Sequence, residues 1–297
     1  MVNSPKTAQI RHILSAIAVV IVALVIVWLT SREVDQWLGL PSAVVITLIA
    51  FGIQWLGFLH SWISQTERFY DLTGSLTYTF LAIMALSLSS TQDTRSRILA
   101  ALVIIWALRL GPFLFIRISK SGGDDRFKEI LPSPTRLFLV WTLQGLWISL
   151  TGLAAWVGIT TTHTFPIGWI GYLGIALWLA GFSFEVTADL QKTRFKSDPA
   201  NEGEFISTGL WSISRHPNYL GEIVLWTGVF VLAAENFSNW QYLAVLSPIF
   251  VTVLLTRVSG IPLLEKKADK RWGQRADYQE YKRNTAVLIP GFKSAEK

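Results

Sequence analysis

The sequence predicts an all-α protein, a polytopic transmembrane helix bundle of about eight spans with a polar cap built from the inter-helix loops and the C-terminal tail. Half of the chain is hydrophobic (51%), with 14 Trp and 17 Phe, and the mean hydropathy is positive. Eight segments, most of them roughly 18 to 22 residues long, carry almost no charge, and this is the length a helix needs to cross about 30 Å of hydrocarbon. A soluble protein can bury one or two such segments, but not eight.

Each apolar segment is interpreted as one span. The first could be a signal peptide, but no small-residue cleavage site follows it in TSREVDQW, so it is predicted to be retained. The loops between the spans are too short to fold alone, so a single integral-membrane domain over residues 1–297 is predicted, with the N-terminal spans at 10–62. In chain order, the segments are Ile10–Thr30, Ser42–Trp62, Thr73–Ser90, Ile98–Ile116, Leu137–Gly158, Ile167–Thr187, Tyr219–Ala234 and Tyr242–Thr256.

The distribution of basic residues predicts the orientation. With a cytoplasmic N-terminus, only Arg32, Arg95 and Arg97 lie outside, and this asymmetry satisfies the positive-inside rule in one direction only. We therefore expect a multi-pass protein, of a bacterial inner membrane, with both termini cytoplasmic. The net charge of +6 then needs no nucleic acid as a partner. The basic residues expected on the cytoplasmic side are Lys6, Arg11, Arg68, Arg117, Lys120, Arg126, Lys128, Arg136, Lys192, Arg194, Lys196, Arg215 and the C-terminal tail.

Several kinds of chemistry have no sequence signal. The chain has no cysteine, so disulfides, thiolate nucleophiles and cysteine-ligated metals are excluded. No G-x-G-x-x-G motif or P-loop is present. The four histidines are scattered over different segments, so no metal site is predicted.

Charged residues within the apolar spans are the first candidates for function. Arg109 lies inside VIIWALRLGPFLFIR, where an isolated arginine costs at least a few kcal/mol, and Arg117 follows on roughly the same side of that helix. Further along, Glu185, Asp189 and Lys192 share one stripe of a helix. An interhelical salt bridge that serves only packing, for example Arg109 with Glu185, is the alternative interpretation.

The stretch SRHPNYLGE, residues 214–222, is predicted to begin a helix. Pro217 suits the first helical turn, where its missing N–H costs nothing. Free backbone N–H groups at that helix end, together with Arg215 and His216, form a site for a phosphate or carboxylate. Asn218 and Glu222 lie one turn apart and offer an amide and an acceptor. The alternative is that Arg215 reaches lipid headgroups and the rest only caps the helix.

The motif GLWSISRHPNYLGEIVLW, with Glu265 and DYQEYKRNTAVLIPGF downstream, resembles the C-terminal signature of the steroid 5-alpha-reductase family, and in particular its bacterial branch of membrane proteins. The resemblance covers Thr66–Phe292. Sterol C14-reductases and isoprenylcysteine carboxyl methyltransferases carry related motifs. The resemblance implies a membrane enzyme that holds an adenosine cofactor in a cytoplasmic cofactor-binding cap.

Within that resemblance, the L-G-E that follows R-H-P-N-Y favours NADPH over S-adenosylmethionine. The number of cations also suits the pyrophosphate and 2′-phosphate of NADPH. The cofactor-binding residues that the resemblance implies are Arg109, Arg117, Glu185, Asp189, Lys192, Arg194, Arg215, His216, Asn218, Tyr219, Glu222, Arg257 and Glu265.

The expected function is an NADPH-dependent oxidoreductase that reduces a C=C bond conjugated to a carbonyl in a lipid-like, steroid or isoprenoid-type substrate. The position of the family's catalytic tyrosine is occupied by Trp106, so the donor to the substrate carbonyl is expected from Asp71, Glu67 or Tyr70. Membrane lipids and the substrate are the expected partners. An S-adenosylmethionine-dependent membrane methyltransferase and a non-catalytic lipid-binding protein remain the alternatives.

The orientation is testable with a reporter fused to Lys297. A phosphatase that is active only outside the cytoplasm should stay inactive at this position, because the charge bias runs one way across all the spans. A fusion of the same enzyme after Arg32 should be active. A strongly active fusion at Lys297 would overturn the orientation.

Overall fold

The computed structural model describes residues 5–121 and 127–291, and most of these are helical. The helices α1 to α11 confirm the prediction of an all-α polytopic protein. Arg126, Phe292 and Lys297, named above, lie outside the described residues, as does the side chain of Lys120. The α-helices are α1 (Pro5–Thr30), α2 (Ser42–Ser64), α3 (Tyr70–Leu88), α4 (Thr94–Ser121), α5 (Pro134–Thr151), α6 (Leu153–Thr160), α7 (Trp169–Ser197), α8 (Pro217–Ala234), α9 (Leu246–Val253), α10 (Ile261–Trp272) and α11 (Ala276–Asn284).

Short irregular elements connect the helices. A two-residue antiparallel hairpin, β1 (Gln36–Trp37) and β2 (Leu40–Pro41), joins α1 to α2. Among the described residues, 3₁₀ helices occur at Pro199–Asn201, Gly209–Ser212 and Asn239–Val245, and a π-helical turn covers Leu254–Val258.

The apolar helices agree with the eight predicted spans. Seven of the described helices are long and apolar enough to cross a membrane, and the number is eight if α5 and α6, which meet at an angle of 52°, are one broken span. The bend falls at Gly152, the residue between the two helices. The last span is longer than predicted, because the 3₁₀ helix, α9, the π-helical turn and α10 follow one another over Asn239–Trp272.

The chain divides into two compact units, and each is described by itself. The first unit comprises Met1–Gly171 and Phe230–Ser247, and the second comprises Tyr172–Val229 and Pro248–Lys297. The expectation of a single functional domain stays a prediction.

Close helix contacts hold the first unit together. α3 packs against α4, and α2 packs against α5. A Cβ atom on Gly111 of α4 would lie 2.5 Å from the Cβ atom of Ser75 on α3, so these two helices touch through small residues. This is the way helices associate in membranes, where apolar surface alone gives no driving force.

A fully buried arginine fixes one end of the first unit. The guanidinium group of Arg95, at the start of α4, is 0% exposed and donates to the carboxylate of Glu235, to the side-chain carbonyl of Asn236 and to the backbone carbonyl of Pro166. A buried charge persists only when it is paired and hydrogen-bonded. From the sequence, Arg95 was counted only as a topology residue, and its role in packing was missed.

In the second unit, α7 and α8 approach until their backbones touch. A Cβ atom on Gly221 would lie 2.6 Å from the backbone nitrogen of Glu185 and 2.6 Å from the carbonyl oxygen of Gly181. One on Gly228 would lie 2.6 Å from the backbone nitrogen of Trp178. Glycine is therefore required along this contact, which brings the polar end of α7 beside the start of α8.

Replacing Gly221 by alanine should destabilise the protein. Its methyl group would meet backbone atoms, which cannot yield without separating the helices, so we expect a loss of about 1–3 kcal/mol and a lower melting temperature in detergent. The control is G52A, since no atom lies within 4 Å of a Cβ atom there. G52A should therefore not lower the melting temperature, because alanine favours a helix by roughly 0.8–1 kcal/mol over glycine. A G221A protein that melts with the wild type would contradict the close approach of α7 and α8.

Candidate functional site

Buried polar residues gather in the second unit at the start of α8. Arg215 is 6% exposed and His216 5%, and they directly precede Pro217, the first residue of the helix. Glu185 and Asp189 on α7 and Glu222 on α8 are buried as well. So many buried ionisable groups are unusual unless they pair or bind something. We call these five residues, with Asn218 and Glu265, the polar cluster.

The C-terminal tail fixes the backbone before α8. The backbone N–H of Arg215 donates to the carbonyl oxygen of Ala286 at 2.9 Å, and the hydroxyl of Ser214 donates to the carbonyl oxygen of Leu288 at 2.7 Å. The hydroxyl of Tyr281 donates to the carbonyl oxygen of Trp211 at 2.6 Å. The conformation of the Arg-His pair therefore depends on residues more than 60 positions later in the chain.

Glu265, on α10, binds both members of the pair. One carboxylate oxygen lies 3.1 Å from Nη2 of Arg215, and the other lies 2.8 Å from Nε2 of His216. Nη1 of Arg215 donates to the carbonyl oxygen of Lys282 at 3.0 Å. The positive charge of Arg215 is thus balanced inside the protein.

Two atoms of the Arg-His pair have no hydrogen-bond partner in the part of the chain that is described. They are Nε of Arg215 and Nδ1 of His216, and both are buried. When Nε2 of a neutral His216 donates to Glu265, Nδ1 is left as an acceptor. The pair then has a donor at Nε of Arg215 and an acceptor at Nδ1 of His216 that no described residue uses. Because buried polar groups are almost always hydrogen-bonded, this pair of atoms is typical of a site that a ligand or water completes.

The α7 side adds acceptors to the cluster. The amide nitrogen of Asn218 donates to the carboxylate of Asp189 at 3.2 Å, so the stripe predicted on α7 does meet the start of α8. Tyr219 stacks on His216 with a ring separation of 5.8 Å. The ammonium group of Lys192 lies 4.2 Å from the ring centre of Trp211, whose indole donates to the carbonyl oxygen of Ala188.

Two other predicted cofactor residues of this unit are exposed. Arg257 lies in the π-helical turn. Arg194 lines a cleft of about 370 Å³ together with Gln191, Asp198, Asn201 and Thr208.

The remaining predicted residues belong to the first unit. Arg109 is half-buried and its guanidinium group lies 5.2 Å from the ring centre of Phe113, whereas Arg117 is exposed. The hydroxyl of Tyr70 donates to the carbonyl oxygen of Val140 at 3.1 Å.

Asp71 and Glu67 are half-buried, and Asp71 lies in the first turn of α3. Trp106, at the expected tyrosine position, is buried and packs edge-on against Tyr78, with ring centres 5.1 Å apart.

Residues 5–121 and 127–291 contain no group of His, Asp and Glu arranged to hold a metal ion. The sequence gives no indication of the roles of Lys282, Tyr281 and Ser214, because their contacts join segments far apart in the chain. Tyr281 and Lys282 lie in the motif DYQEYKRN, and Ser214 lies in SRHPNYLGE.

Together these features define a multi-pass integral membrane protein with a buried polar site at a helix start. Residues 57–285 match the family described as "Protein of unknown function (DUF1295)", and the chain belongs to that family. It is also similar to "Uncharacterized protein C594.04c" of Schizosaccharomyces pombe, with 26% identity over 203 residues. That match covers 58% of this chain and 59% of the relative, so the chain spans about three-fifths of the relative's length. No solved structure matches.

The buried state of His216 predicts a pH-dependent stability. Burial lowers the pKa of His216, as do Lys192 and Arg215, while the hydrogen bond to Glu265 partly opposes them. The unfolded chain, with a histidine pKa of about 6.5, then binds more protons than the folded one, so the stability falls as the pH drops below about 6.5.

The melting temperature measured between pH 8 and pH 5 should show this fall, and the variant H216Q should make the curve flatter. The control H60Q alters an exposed ring and should keep the wild-type slope. Equal slopes for H216Q and the wild type would show that His216 is not buried in its neutral form.

Proposed function

We propose that this protein is a membrane-embedded, NADPH-dependent reductase that acts on a C=C bond conjugated to a carbonyl in a lipid-like substrate. The observation that supports the proposal most is the polar cluster, in which Nε of Arg215 and Nδ1 of His216 are buried without partners among the described residues. The resemblance of SRHPNYLGE to the reductase form of the steroid 5-alpha-reductase motif supports it further.

The residues of the second unit fit the chemical groups of a dinucleotide. The first turn of α8 offers backbone N–H groups for a phosphate, and the exposed cations Arg194 and Arg257 suit further phosphate oxygens. The ribose hydroxyls and the carboxamide of a dinucleotide need acceptors and donors at fixed positions. The side chains that suit these groups are Asp189, Asn218 and Glu222.

Arg215 has a more limited role in this proposal than the sequence predicts. Its guanidinium group is held by Glu265 and by the carbonyl oxygen of Lys282, so it does not act as a mobile phosphate-binding charge. It offers a fixed N–H at Nε, and His216 offers an acceptor at Nδ1, and neither atom has a partner among the described residues. We therefore assign both residues to orienting a polar group of the ligand.

NADPH, when bound, would supply a hydride to the β-carbon of the substrate, and the α-carbon would take a proton from water. The protein must then stabilise negative charge on the carbonyl oxygen. Asp71, Glu67 and Tyr70 are the proposed donors. The hydroxyl of Tyr70 donates to the backbone carbonyl of Val140 in this structure, so as a donor to the substrate it would have to exchange that bond.

A specific observation favours a second candidate, an S-adenosylmethionine-dependent methyltransferase. The cluster has four carboxylates, on Glu185, Asp189, Glu222 and Glu265, and the charge of Arg215 is already balanced. Carboxylate groups suit a ligand with a sulfonium and an ammonium group. A non-catalytic lipid-binding protein is the third candidate, and it requires no nucleotide.

Ligand-dependent melting of the purified protein separates these candidates. A ligand that binds only the folded state stabilises it, by about 2.7 kcal/mol at 100 times its Kd. We expect NADPH to raise the melting temperature by several degrees, NADH to raise it less, and S-adenosylmethionine to raise it little. The variant E222Q should lose most of the NADPH shift, whereas the matched control E280Q, at an exposed position of α11, should keep it.

Stabilisation by S-adenosylmethionine and not by NADPH would replace the reductase with the methyltransferase. If neither nucleotide shifts the melting temperature, the polar cluster is a packing feature and the reductase proposal is wrong.

A further inference from the structure

Helix α10 separates its residues into two faces. The residues that point into the second unit, at i, i+4, i+7 and i+11, are Ile261, Glu265, Ala268 and Trp272, and all are buried or half-buried. The opposite stripe consists of Leu263, Lys266, Lys267 and Lys270, and all four are exposed. We call this stripe the outer face of α10.

The two faces also differ in charge. Both acids of α10 are paired within the second unit: Glu265 binds Arg215 and His216, and the exposed Asp269 lies 2.9 Å from the ammonium group of Lys282. The lysines of the outer face form no ion pair with any residue in the described parts of the chain. The helix therefore presents unbalanced positive charge outward.

From the π-helical turn to the end of α10, the exposed residues change from apolar to basic. Val258 in the π-helical turn is 62% exposed and Leu263 is 50% exposed, and both belong to a segment apolar enough to span a membrane. The lysines follow within two turns, about 10 Å further along the axis. A surface that passes from apolar to basic over this distance matches the boundary between lipid hydrocarbon and headgroups.

We propose that the outer face of α10 is an interfacial docking surface for anionic phospholipid headgroups. Clusters of lysine beside a membrane span are attracted to negatively charged lipids. An acidic protein or a nucleic acid fits less well, because the exposed apolar residues are continuous with the basic ones. Since Glu265 lies on the inner face of the same helix, docking would also hold its carboxylate against Arg215 and His216. This inference does not depend on the proposed reaction.

The test uses the full-length protein with a fluorescent label at one position. The chain has no cysteine, so L263C introduces a single labelling site. The protein is reconstituted in phosphatidylcholine vesicles with or without phosphatidylglycerol, and quenching by lipid-attached nitroxides reports how deeply position 263 lies. Quenching should increase with the phosphatidylglycerol fraction, since each lysine changes the ratio of docked to undocked helix by roughly five-fold.

Added to L263C, K266Q/K270Q should remove most of that increase and leave only the contribution of Lys267. The matched control R32Q/R97Q, which removes two exposed cations of the first unit, should keep it. At 1 M salt, where the Debye length is about 3 Å, the increase should disappear from L263C itself. This measurement decides the question even if the lysine variant fails to fold.

Three results would overturn the proposal. Quenching that is independent of phosphatidylglycerol would show that apolar contact alone holds the helix. Equal responses of the lysine and arginine variants would show that α10 is not the lipid-binding element. If polyglutamate added to the protein in phosphatidylcholine vesicles increased the quenching as much as phosphatidylglycerol does, the outer face would bind an acidic protein instead.

Discussion

The polar site of the second unit depends on the carboxylate of Glu265. It contacts Arg215 and His216 at once, and it lies 4.0 Å from the ammonium group of Lys282. Arg215 is 6% exposed, so its charge would be costly to keep there without a partner. One carboxylate group therefore orients Arg215, sets the tautomer of His216 and contacts Lys282 near the end of α11. Glu265 also balances the charge of Arg215. The atoms that no described residue binds are then a donor, Nε of Arg215, and an acceptor, Nδ1 of His216.

The second constraint is the contact between α7 and α8. Because Gly181 and Gly221 lack side chains, the backbones approach closely enough for Asn218 to reach Asp189. In a membrane, small residues are the usual means of such an approach. The glycines thus fix the position of Asp189 relative to α8, and Glu265 fixes the positions of Arg215 and His216. The C-terminal tail, through Ala286 and Leu288, holds the backbone between them.

Features with a local cause could be predicted from the sequence. The spans follow from uncharged runs of membrane length, and the start of α8 follows from the backbone chemistry of Pro217. The stripe of Glu185 and Asp189 follows from helical periodicity. Contacts between distant segments could not be predicted. Glu265 and Arg215 are 50 residues apart, and no spacing rule joins them.

The same limit explains the other omissions. Arg95 was assigned to a membrane surface by its sign alone, whereas its burial depends on Glu235, which lies 140 residues away. The bend between α5 and α6 has only a single glycine as its signal. The proposed donors Asp71 and Glu67 rest on a resemblance, and their assignment to a reaction stays a prediction.

The proposed reductase function requires that the polar cluster bind a nicotinamide dinucleotide. The most direct measurement is mass spectrometry of the small molecules released by denaturing the purified protein in detergent. We expect NADPH or NADP⁺ to be released from the wild type in amounts comparable to the protein and to be largely lost from E265Q. Release of S-adenosylmethionine or its demethylated product, or of no nucleotide at all, would contradict it.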